Sequence, residues 1–246
     1  MYDLHCHLLP GLDDGAQTAA EALCLLRLAQ HNGISHMVMT PHINPGHFDN
    51  TKATIHQGLV ELQQLARDHQ LPMQLAAAAE VRLCTELPAW VEAEALPYLG
   101  EYQGYKVLLL EFPHSHIPTG TDRLVKWLVA KNVLPMIAHP ERNREIQTDL
   151  NKLLPFRRLG CLLQLTASSV LGDMGERSQQ TAFELLSQKA FHIVATDSHN
   201  QHRRPPKLAE ARDLIASLFG DDYARQLVIE NPKAISQIHF SEESYA

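Results

Sequence analysis

The sequence has 246 residues, a formal net charge of −7 and 45% hydrophobic residues. This composition supports a sizeable core and argues against disorder, and an acidic chain without a long basic run is not typical of a general nucleic-acid binder. We find no signal peptide and no apolar stretch long enough to cross a bilayer, so we expect a cytoplasmic protein without membrane insertion. The four widely spaced cysteines are expected to be reduced thiols.

Strand-like and helix-like segments alternate along the whole chain. The predicted strands are short apolar runs, namely Tyr2–His7, His36–Thr40, Met73–Val81, Lys106–Phe112, Leu134–Ala138, Cys161–Thr166 and His192–Thr196. The predicted helices are Thr18–His31, Lys52–His69, Thr121–Lys131, Asp149–Leu159, Glu176–Lys189, Lys207–Phe219 and Asp221–Glu230. Asn231-Pro232 is predicted to end the last helix, and Pro45–Asn50 is predicted to be a polar loop that acts as a flap.

Nearly continuous apolar strands separated by helices predict an α/β protein with a parallel sheet covered by helices. Because no composition break divides the chain, we expect a single domain over residues 1–246. A closed barrel of seven or eight strands fits this pattern. An open doubly wound sheet is the alternative, although no Gly-x-Gly-x-x-Gly motif follows the first strand.

Metal-binding residue types recur at the ends of the predicted strands. His5 and His7 are expected to point to the same side of the first strand, where both can bind one metal ion. A single His-x-His pair is nevertheless a weak signal. The same residue types follow the later strands as well: Asp14, His42, Glu80, Glu111, His139, Asp197 and His199. Each has an ordinary alternative explanation as a loop, capping or salt-bridged residue. In a barrel all these strand ends meet at one face, so their joint occurrence favours a metal site.

Five histidines and four carboxylates exceed what one ion needs, so we expect two or three ions with a bridging carboxylate. Imidazole and carboxylate together suit zinc, manganese or iron. Three divalent ions and four carboxylates would leave a charge of about +2, which favours an anionic substrate such as a phosphate. Arg142 and Arg204 lie beside these motifs and are expected to make bidentate phosphate contacts.

These motifs resemble those of the polymerase-and-histidinol-phosphatase (PHP) superfamily. More closely, the chain resembles the bacterial manganese-dependent protein-tyrosine phosphatases of capsule and exopolysaccharide gene clusters. The matching segments are Asp3-x-His5-x-His7, Gly11-Leu12-Asp13-Asp14-Gly15, Thr40-Pro41-His42, Glu80, Glu111, His139-Pro140-Glu141-Arg142 and Asp197-x-His199. Asp14 is the most discriminating position, because many other superfamily members carry a histidine there. Cys6 stands where the family has serine, at a position that is not a ligand.

The resemblance implies a distorted, TIM-like (β/α)7 barrel of the PHP fold that holds three metal ions, with manganese preferred over zinc or iron. By this analogy the first ion is bound by His5, His7, Glu80 and Asp197, the second by Glu80, Glu111 and His139, and the third by Asp14, His42 and His199. The implied substrate is a phosphotyrosine-bearing protein, in particular a membrane-associated tyrosine autokinase that controls polysaccharide synthesis.

Metal-dependent hydrolysis of a different bond, as in amidohydrolases, is disfavoured, because those enzymes often carry a metal-bridging lysine and no lysine stands at the C-terminal end of a predicted strand. Two other functions remain open from the sequence. One is a small-molecule phosphatase of the same superfamily, such as one acting on histidinol phosphate. The other is a non-catalytic metal-binding partner of a membrane kinase, although the complete ligand set argues against it. The sequence contains no Cys-x5-Arg signature, so a phosphocysteine mechanism is not expected.

Overall fold

A computed structural model describes residues 1–240, in which strands and helices alternate as predicted. The strands are β1 (Tyr2–Cys6), β2 (His36–Met39), β3 (His42–Asn44), β4 (Phe48–Asp49), β5 (Gln74–Ala77), β6 (Glu80–Arg82), β7 (Gly100–Tyr102), β8 (Tyr105–Glu111), β9 (Val133–Ile137), β10 (Leu162–Thr166) and β11 (Ile193–Ala195). The helices are α1 (Ala19–His31), α2 (Lys52–Asp68), α3 (Leu87–Glu92), α4 (Thr121–Ala130), α5 (Arg144–Thr148), α6 (Leu154–Arg158), α7 (Ala167–Val170), α8 (Glu176–Ser187), α9 (Leu208–Phe219), α10 (Asp221–Arg225) and α11 (Asn231–Phe240).

The strands form two sheets that are joined by backbone hydrogen bonds. The smaller sheet has the parallel order β1-β2-β5, and the larger has the order β11-β10-β9-β8-β6-β3-β4, with β7 antiparallel to β8. At one junction Asp197 N–H donates to His5 O (2.7 Å), and at the other Ala78 N–H donates to Met39 O (2.8 Å). The predicted α/β class is therefore confirmed, with the ends of strands from both sheets brought close together.

The strand boundaries near Pro41 differ from the prediction. The predicted strand Met73–Val81 is wrong as a single element, because it is divided into β5 and β6. A matching division separates β2 from β3 at Pro41, which has no N–H to donate. The segment from β2 to β3 nevertheless stays beside the segment from β5 to β6, since Glu80 N–H donates to Pro41 O (3.2 Å). As a result His42 and Glu80 become direct partners in the register of β3 and β6.

The segment Pro45–Asn50 is not simply a loop. It contains β4, which pairs antiparallel with β3, and the connecting turn includes Gly46 at a φ of +77°. The Gly46 N–H donates to the Asp49 carboxylate (2.8 Å), which closes the turn. The hairpin arises because β3 carries the chain past Pro41 and leaves an edge with which β4 can pair.

Several helical boundaries also differ. The prediction that Asn231-Pro232 ends a helix is wrong, because a π-helical turn (Gln226–Glu230) leads directly into α11. Pro232 follows directly after this π-helical turn, where the regular hydrogen-bond ladder of an α-helix is already interrupted. The predicted helix Asp149–Leu159 is divided into a 3-10 turn (Leu150–Leu153) and α6. The short elements α3, α5, α7 and β7 were not predicted, since each is too short for a repeating hydrophobic pattern to be recognised.

Two hydrophobic clusters hold the elements together. One lies among the strands and combines residues from both sheets: Leu4, Val38, Ala76, Leu109, Met136, Leu162 and Ile193. The other packs the helices against the outer side of the strands, with α1 burying Ala22, Leu25, Leu26 and Ala29. Helix α1 begins as predicted, because Glu21 N–H donates to the Thr18 side chain (3.2 Å). Among residues 1–240, no helix combines the length and apolarity needed to span a membrane.

Candidate metal centre

All nine predicted ligand residues lie in one cluster at the ends of the strands. The ligand atoms form overlapping groups in which every atom lies within 4.8 Å of the others: His7, Asp14, His42 and His199; His5, His7 and Glu80; His5, His139 and Asp197; and His42, Glu80 and Glu111. Each predicted ligand belongs to at least one group. The residues come from both sheets and from the loops that follow β1, β9 and β11. The cluster therefore depends on the junctions between the sheets.

The ring nitrogens of His5 and His7 face two carboxylates. His5 Nε2 lies 3.2 Å from Glu80 Oε2 and 3.3 Å from Asp197 Oδ1. His7 Nε2 lies 3.5 Å and 3.3 Å from the same two oxygens. Metal–ligand bonds of about 2.1 Å place neighbouring donor atoms about 3.0–3.4 Å apart. Each of the two imidazoles therefore lies from both carboxylates at about the spacing of neighbouring metal ligands, and the assignment of all four side chains to one ion stays a prediction.

Two further histidines, His42 and His199, converge on Asp14 in a part of the cluster that is more open to solvent. Its Oδ1 lies 3.4 Å from His42 Nε2 and 3.3 Å from His199 Nε2. The Asp14 side chain is 54% exposed, whereas His199 is almost fully buried. Hydrogen bonds from His199 and His42 keep the pKa of Asp14 well below its ordinary value. The same group of ligand atoms also includes His7, so the assignment of Asp14, His42 and His199 to a third ion stays a prediction.

Glu80 connects the remaining residues. Its Oε1 accepts a hydrogen bond from His139 Nε2 (2.8 Å), and its Oε2 lies 3.0 Å from His42 Nδ1. Glu111 groups with Glu80 and His42, while His139 groups with His5 and Asp197. Glu80 is thus placed as a bridging ligand would be. The sorting of Glu111 and His139 onto one shared ion stays a prediction.

The pKa values of several cluster residues respond to burial and to the carboxylates around them. Burial, followed by the negative charge of Glu80, raises the pKa of Glu111. Burial lowers the pKa of His42, but the carboxylates of Glu80 and Asp14 outweigh it and raise the value to about 11. Burial also opposes the protonation of His7, yet Asp13 raises its pKa to about 9. The same field that draws protons onto these imidazoles would attract divalent cations.

Buried polar atoms without hydrogen-bond partners mark the centre of the cluster. Within the described residues these atoms include His42 Nδ1, Glu80 Oε2 and His199 Nε2, which have polar neighbours at 3.0–3.3 Å but none in full hydrogen-bond geometry. Buried polar atoms are nearly always satisfied, so unpaired ones need an explanation. His139 and Asp197 also adopt positive φ values of 32° and 51°, which non-glycine residues rarely do. A donor set of imidazole and carboxylate with free lone pairs fits divalent metal ions.

Three hydrogen bonds orient the histidine rings. His7 Nδ1–H donates to Asp13 Oδ2 (2.6 Å), and His5 Nδ1–H donates to Gln164 Oε1 (2.9 Å). His199 Nδ1–H donates to Asp197 O (3.0 Å). In each case the proton is held on Nδ1, so the Nε2 lone pair faces the cluster. Asp13 and Gln164 were not predicted to take part, although both are polar residues beside a predicted strand end or ligand.

The two predicted arginines lie together at the edge of the cluster. Arg142 Nη1 lies 2.5 Å from Asp197 Oδ2, and Arg204 donates to the same oxygen. Burial opposes ionisation of Asp197, but the charges of Arg204 and His5 hold its pKa well below the ordinary value. The other oxygen of Asp197 faces the histidines. Both arginine side chains keep some exposure, at 17% and 23%, so an anion arriving from solvent can reach them.

The fold and this cluster define an α/β protein with a candidate site for divalent metal ions. Residues 1–237 match the profile of the family described as capsular polysaccharide synthesis, CpsB/CapC. The chain belongs to the CpsB/CapC family.

Similar proteins agree with this assignment. The tyrosine-protein phosphatase YwqE of Bacillus subtilis (strain 168) is 32% identical over 222 residues, which cover 90% of this chain and 86% of YwqE. The tyrosine-protein phosphatase CpsB of Streptococcus agalactiae serotype III (strain NEM316) is 26% identical over 98% of this chain and 100% of its own. A solved structure described as YwqE from Bacillus subtilis and CpsB from Streptococcus pneumoniae, unique metal-dependent tyrosine phosphatases, matches with a TM-score of 0.90 and 30% identity, covering 96% of this chain and 94% of that one. The predicted relation to tyrosine phosphatases of capsule clusters is confirmed.

Proposed function

We propose that the protein is a metal-dependent protein-tyrosine phosphatase that hydrolyses phosphotyrosine in a partner protein. The observation that carries this proposal is the convergence of five histidines and four carboxylates beside Arg142 and Arg204. Metal ligands next to two partly exposed guanidinium groups suit a phosphate monoester better than a neutral substrate. Membership of the CpsB/CapC family and the likeness to YwqE support the same activity.

We further propose three divalent ions, preferably manganese, with zinc or iron also compatible with the donor set. His5, His7, Glu80 and Asp197 would hold the first ion. Glu80, Glu111 and His139 would hold the second, and Asp14, His42 and His199 the third. When bound, such ions lower the pKa of water and neutralise the charge of phosphoryl oxygens.

The residues of the chain complete the proposed site. Arg142 and Arg204 would release part of their contact with Asp197 and donate N–H groups to the phosphoryl oxygens, which stabilises charge as the ester bond breaks. Asp13 and Gln164 keep the rings of His7 and His5 in the tautomer that presents Nε2. The leaving phenol has a pKa of about 10, so it needs only modest help from an acid.

The remaining features of the proposal concern architecture and context. We infer that the two sheets close into a distorted seven-stranded barrel, which the shared cluster of Leu4, Leu109 and Ile193 supports. A single phosphatase domain over residues 1–246 is supported by the family profile, although residues 241–246 lie outside the described residues. The proposed partner is a membrane-associated tyrosine autokinase. The proposed location is the cytoplasm, where the four free cysteines would stay reduced.

The test is metal removal and restoration with two substrates. The purified protein is treated with EDTA, dialysed, and assayed on a phosphotyrosine peptide and on histidinol phosphate after readdition of manganese, zinc or iron. We expect activity on the peptide to disappear on chelation and to return with one of these metals. Full activity after complete metal removal would contradict the metal mechanism. A strong preference for histidinol phosphate would instead identify a small-molecule phosphatase, and no turnover with any metal would identify a non-catalytic binding protein.

A further inference from the structure

A third arginine, Arg82, lies at the metal cluster and was not predicted from the sequence. Strand β6 carries Glu80 and Arg82 two residues apart, so both side chains point to the same side of the sheet. The Glu80 side chain is fully buried, whereas that of Arg82 is 25% exposed. Arg82 therefore lies on the same face as the bridging carboxylate and closer to solvent.

Arg82 contacts a carboxylate that the other two arginines do not touch. Arg82 is the direct partner of Glu111 in the register of β6 and β8, and its Nη1 lies 2.8 Å from Glu111 Oε2. Backbone pairing continues past this point, because Leu83 N–H donates to Glu111 O (2.9 Å). The contact is thus built into the register of two neighbouring strands and does not depend on a mobile loop.

The two oxygens of Glu111 have different surroundings. Oε2 is taken by Arg82, whereas Oε1 has His114 Nε2 at 3.6 Å, which is beyond a hydrogen bond. The side chain of Glu111 is only 6% exposed, so the carboxylate needs a partner that fixes its plane. A planar guanidinium group serves this purpose better than a lysine ammonium group.

We propose that Arg82 is a positioning residue, which holds Glu111 through Oε2 so that Oε1 is directed toward the metal ion shared with Glu80. The inference rests on the proposed function, since it assumes that Glu111 is a metal ligand. Groups that orient metal-binding carboxylates typically change metal affinity or activity 10- to 100-fold when they are removed. The affinity for one ion of the set therefore depends on Arg82, which need not touch the substrate.

The experiment compares Arg82→Gln and Arg82→Lys with the wild type. The matched control is Arg67→Gln, which removes an exposed arginine from α2. Metal content after dialysis is measured by mass spectrometry, manganese affinity by calorimetric titration, and kcat and KM on a phosphotyrosine peptide at increasing manganese. For Arg82→Gln we expect about a 10- to 100-fold weaker affinity for one ion, with the affinities of the others unchanged. Excess manganese should restore kcat, Arg82→Lys should be intermediate, and Arg67→Gln should match the wild type.

Two results would overturn the role of Arg82. Unchanged metal affinity with a raised KM would make Arg82 a substrate contact, and unchanged metal affinity with only a lower melting temperature would make the pair with Glu111 an ordinary salt bridge. Arg82→Lys keeps the positive charge beside Glu111, so it still tests the proposal if Arg82→Gln fails to fold. A wild-type protein that binds no manganese, zinc or iron, or that hydrolyses no phosphotyrosine, would refute the proposed function itself, which is a different outcome from a silent Arg82→Gln.

Discussion

Asp13→Asn tests whether the carboxylate next to a ligand controls that ligand. Asp13 accepts three hydrogen bonds: Oδ2 from His7 Nδ1 (2.6 Å) and His42 N (3.0 Å), and Oδ1 from Gly15 N (2.9 Å). An asparagine side chain keeps only one of the two acceptor oxygens and replaces the other with an NH2 group. That NH2 group must face either the Gly15 N–H or the donors of His7 and His42. If it faces His7, the ring is forced to accept on Nδ1 and to carry its proton on Nε2, where the metal ion is expected.

The expected cost follows from these contacts. Removing a group that fixes the tautomer of a metal-binding histidine typically costs 10- to 100-fold in metal affinity or activity. That range corresponds to about 1.4 to 2.8 kcal/mol, which agrees with about 1.5 to 3 kcal/mol for a hydrogen bond to a charged group. Substitution of Asp14, a predicted ligand, should cost more, because it removes a donor and does not merely misorient one.

The assay is a manganese titration of the metal-free protein, followed by kcat/KM on a phosphotyrosine peptide at saturating metal. Asp68→Asn, which alters an exposed aspartate of α2, is the isosteric control and should match the wild type. For Asp13→Asn we expect weaker metal binding and a partial loss of kcat/KM, with a larger loss for Asp14→Asn. Wild-type affinity and kcat/KM in Asp13→Asn would refute the argument. A loss as large as that of Asp14→Asn would show that Asp13 is itself a ligand.

Three further substitutions test other parts of the structure. Asp197→Ala removes a ligand and the anchor of both arginines, so peptide turnover should fall by several orders of magnitude. Cys6→Ser should leave turnover within a few-fold, since the buried thiol faces away from the cluster, and an inactive variant would point to thiol chemistry. Burial, followed by Arg157, lowers the pKa of His192 to about 4 from its ordinary value of 6.5, so the unfolded state binds the extra proton and stability is lost as pH falls between these values. His192→Asn retains a side-chain acceptor for the Leu163 N–H. Between pH 7 and pH 4 its free energy of unfolding, measured by denaturant titration, should fall by up to about 3 kcal/mol less than that of the wild type. The control His56→Asn, at an exposed position, should behave like the wild type.

The ligands could be predicted because each is marked by local sequence. A short apolar run identifies a buried strand, and a histidine or carboxylate at its end stands out against the ordinary composition of a loop. His139-Pro140 after β9 and Asp197 after β11 are examples. Parallel strands then bring these ends to one edge of each sheet, and the junctions between the two sheets bring the two edges together.

The supporting residues could not be predicted, because they depend on register and on the path of loops. Arg82 meets Glu111 only because β6 and β8 pair in one particular alignment, and a shift by one residue would turn Arg82 to the other side of the sheet. Gln164 reaches His5 across 159 positions of sequence. Neither relation leaves a local signal, since arginine and glutamine near a strand end are ordinary residues in a sequence.

The loop that follows β1 and contains Asp13, Asp14 and Gly15 is shaped by a close approach of its backbone to His7. An added Cβ at Gly15 would lie 2.0 Å from His7 O, so this position requires glycine. Ala16 N–H donates to the same His7 oxygen (3.0 Å), which returns the loop onto the end of β1. The return brings Asp13 against the far side of the His7 ring and leaves Asp14 facing His199. Two adjacent carboxylates thereby take different positions, one orienting a predicted ligand and the other being a predicted ligand itself, and the glycine that follows them permits the close approach on which both positions depend.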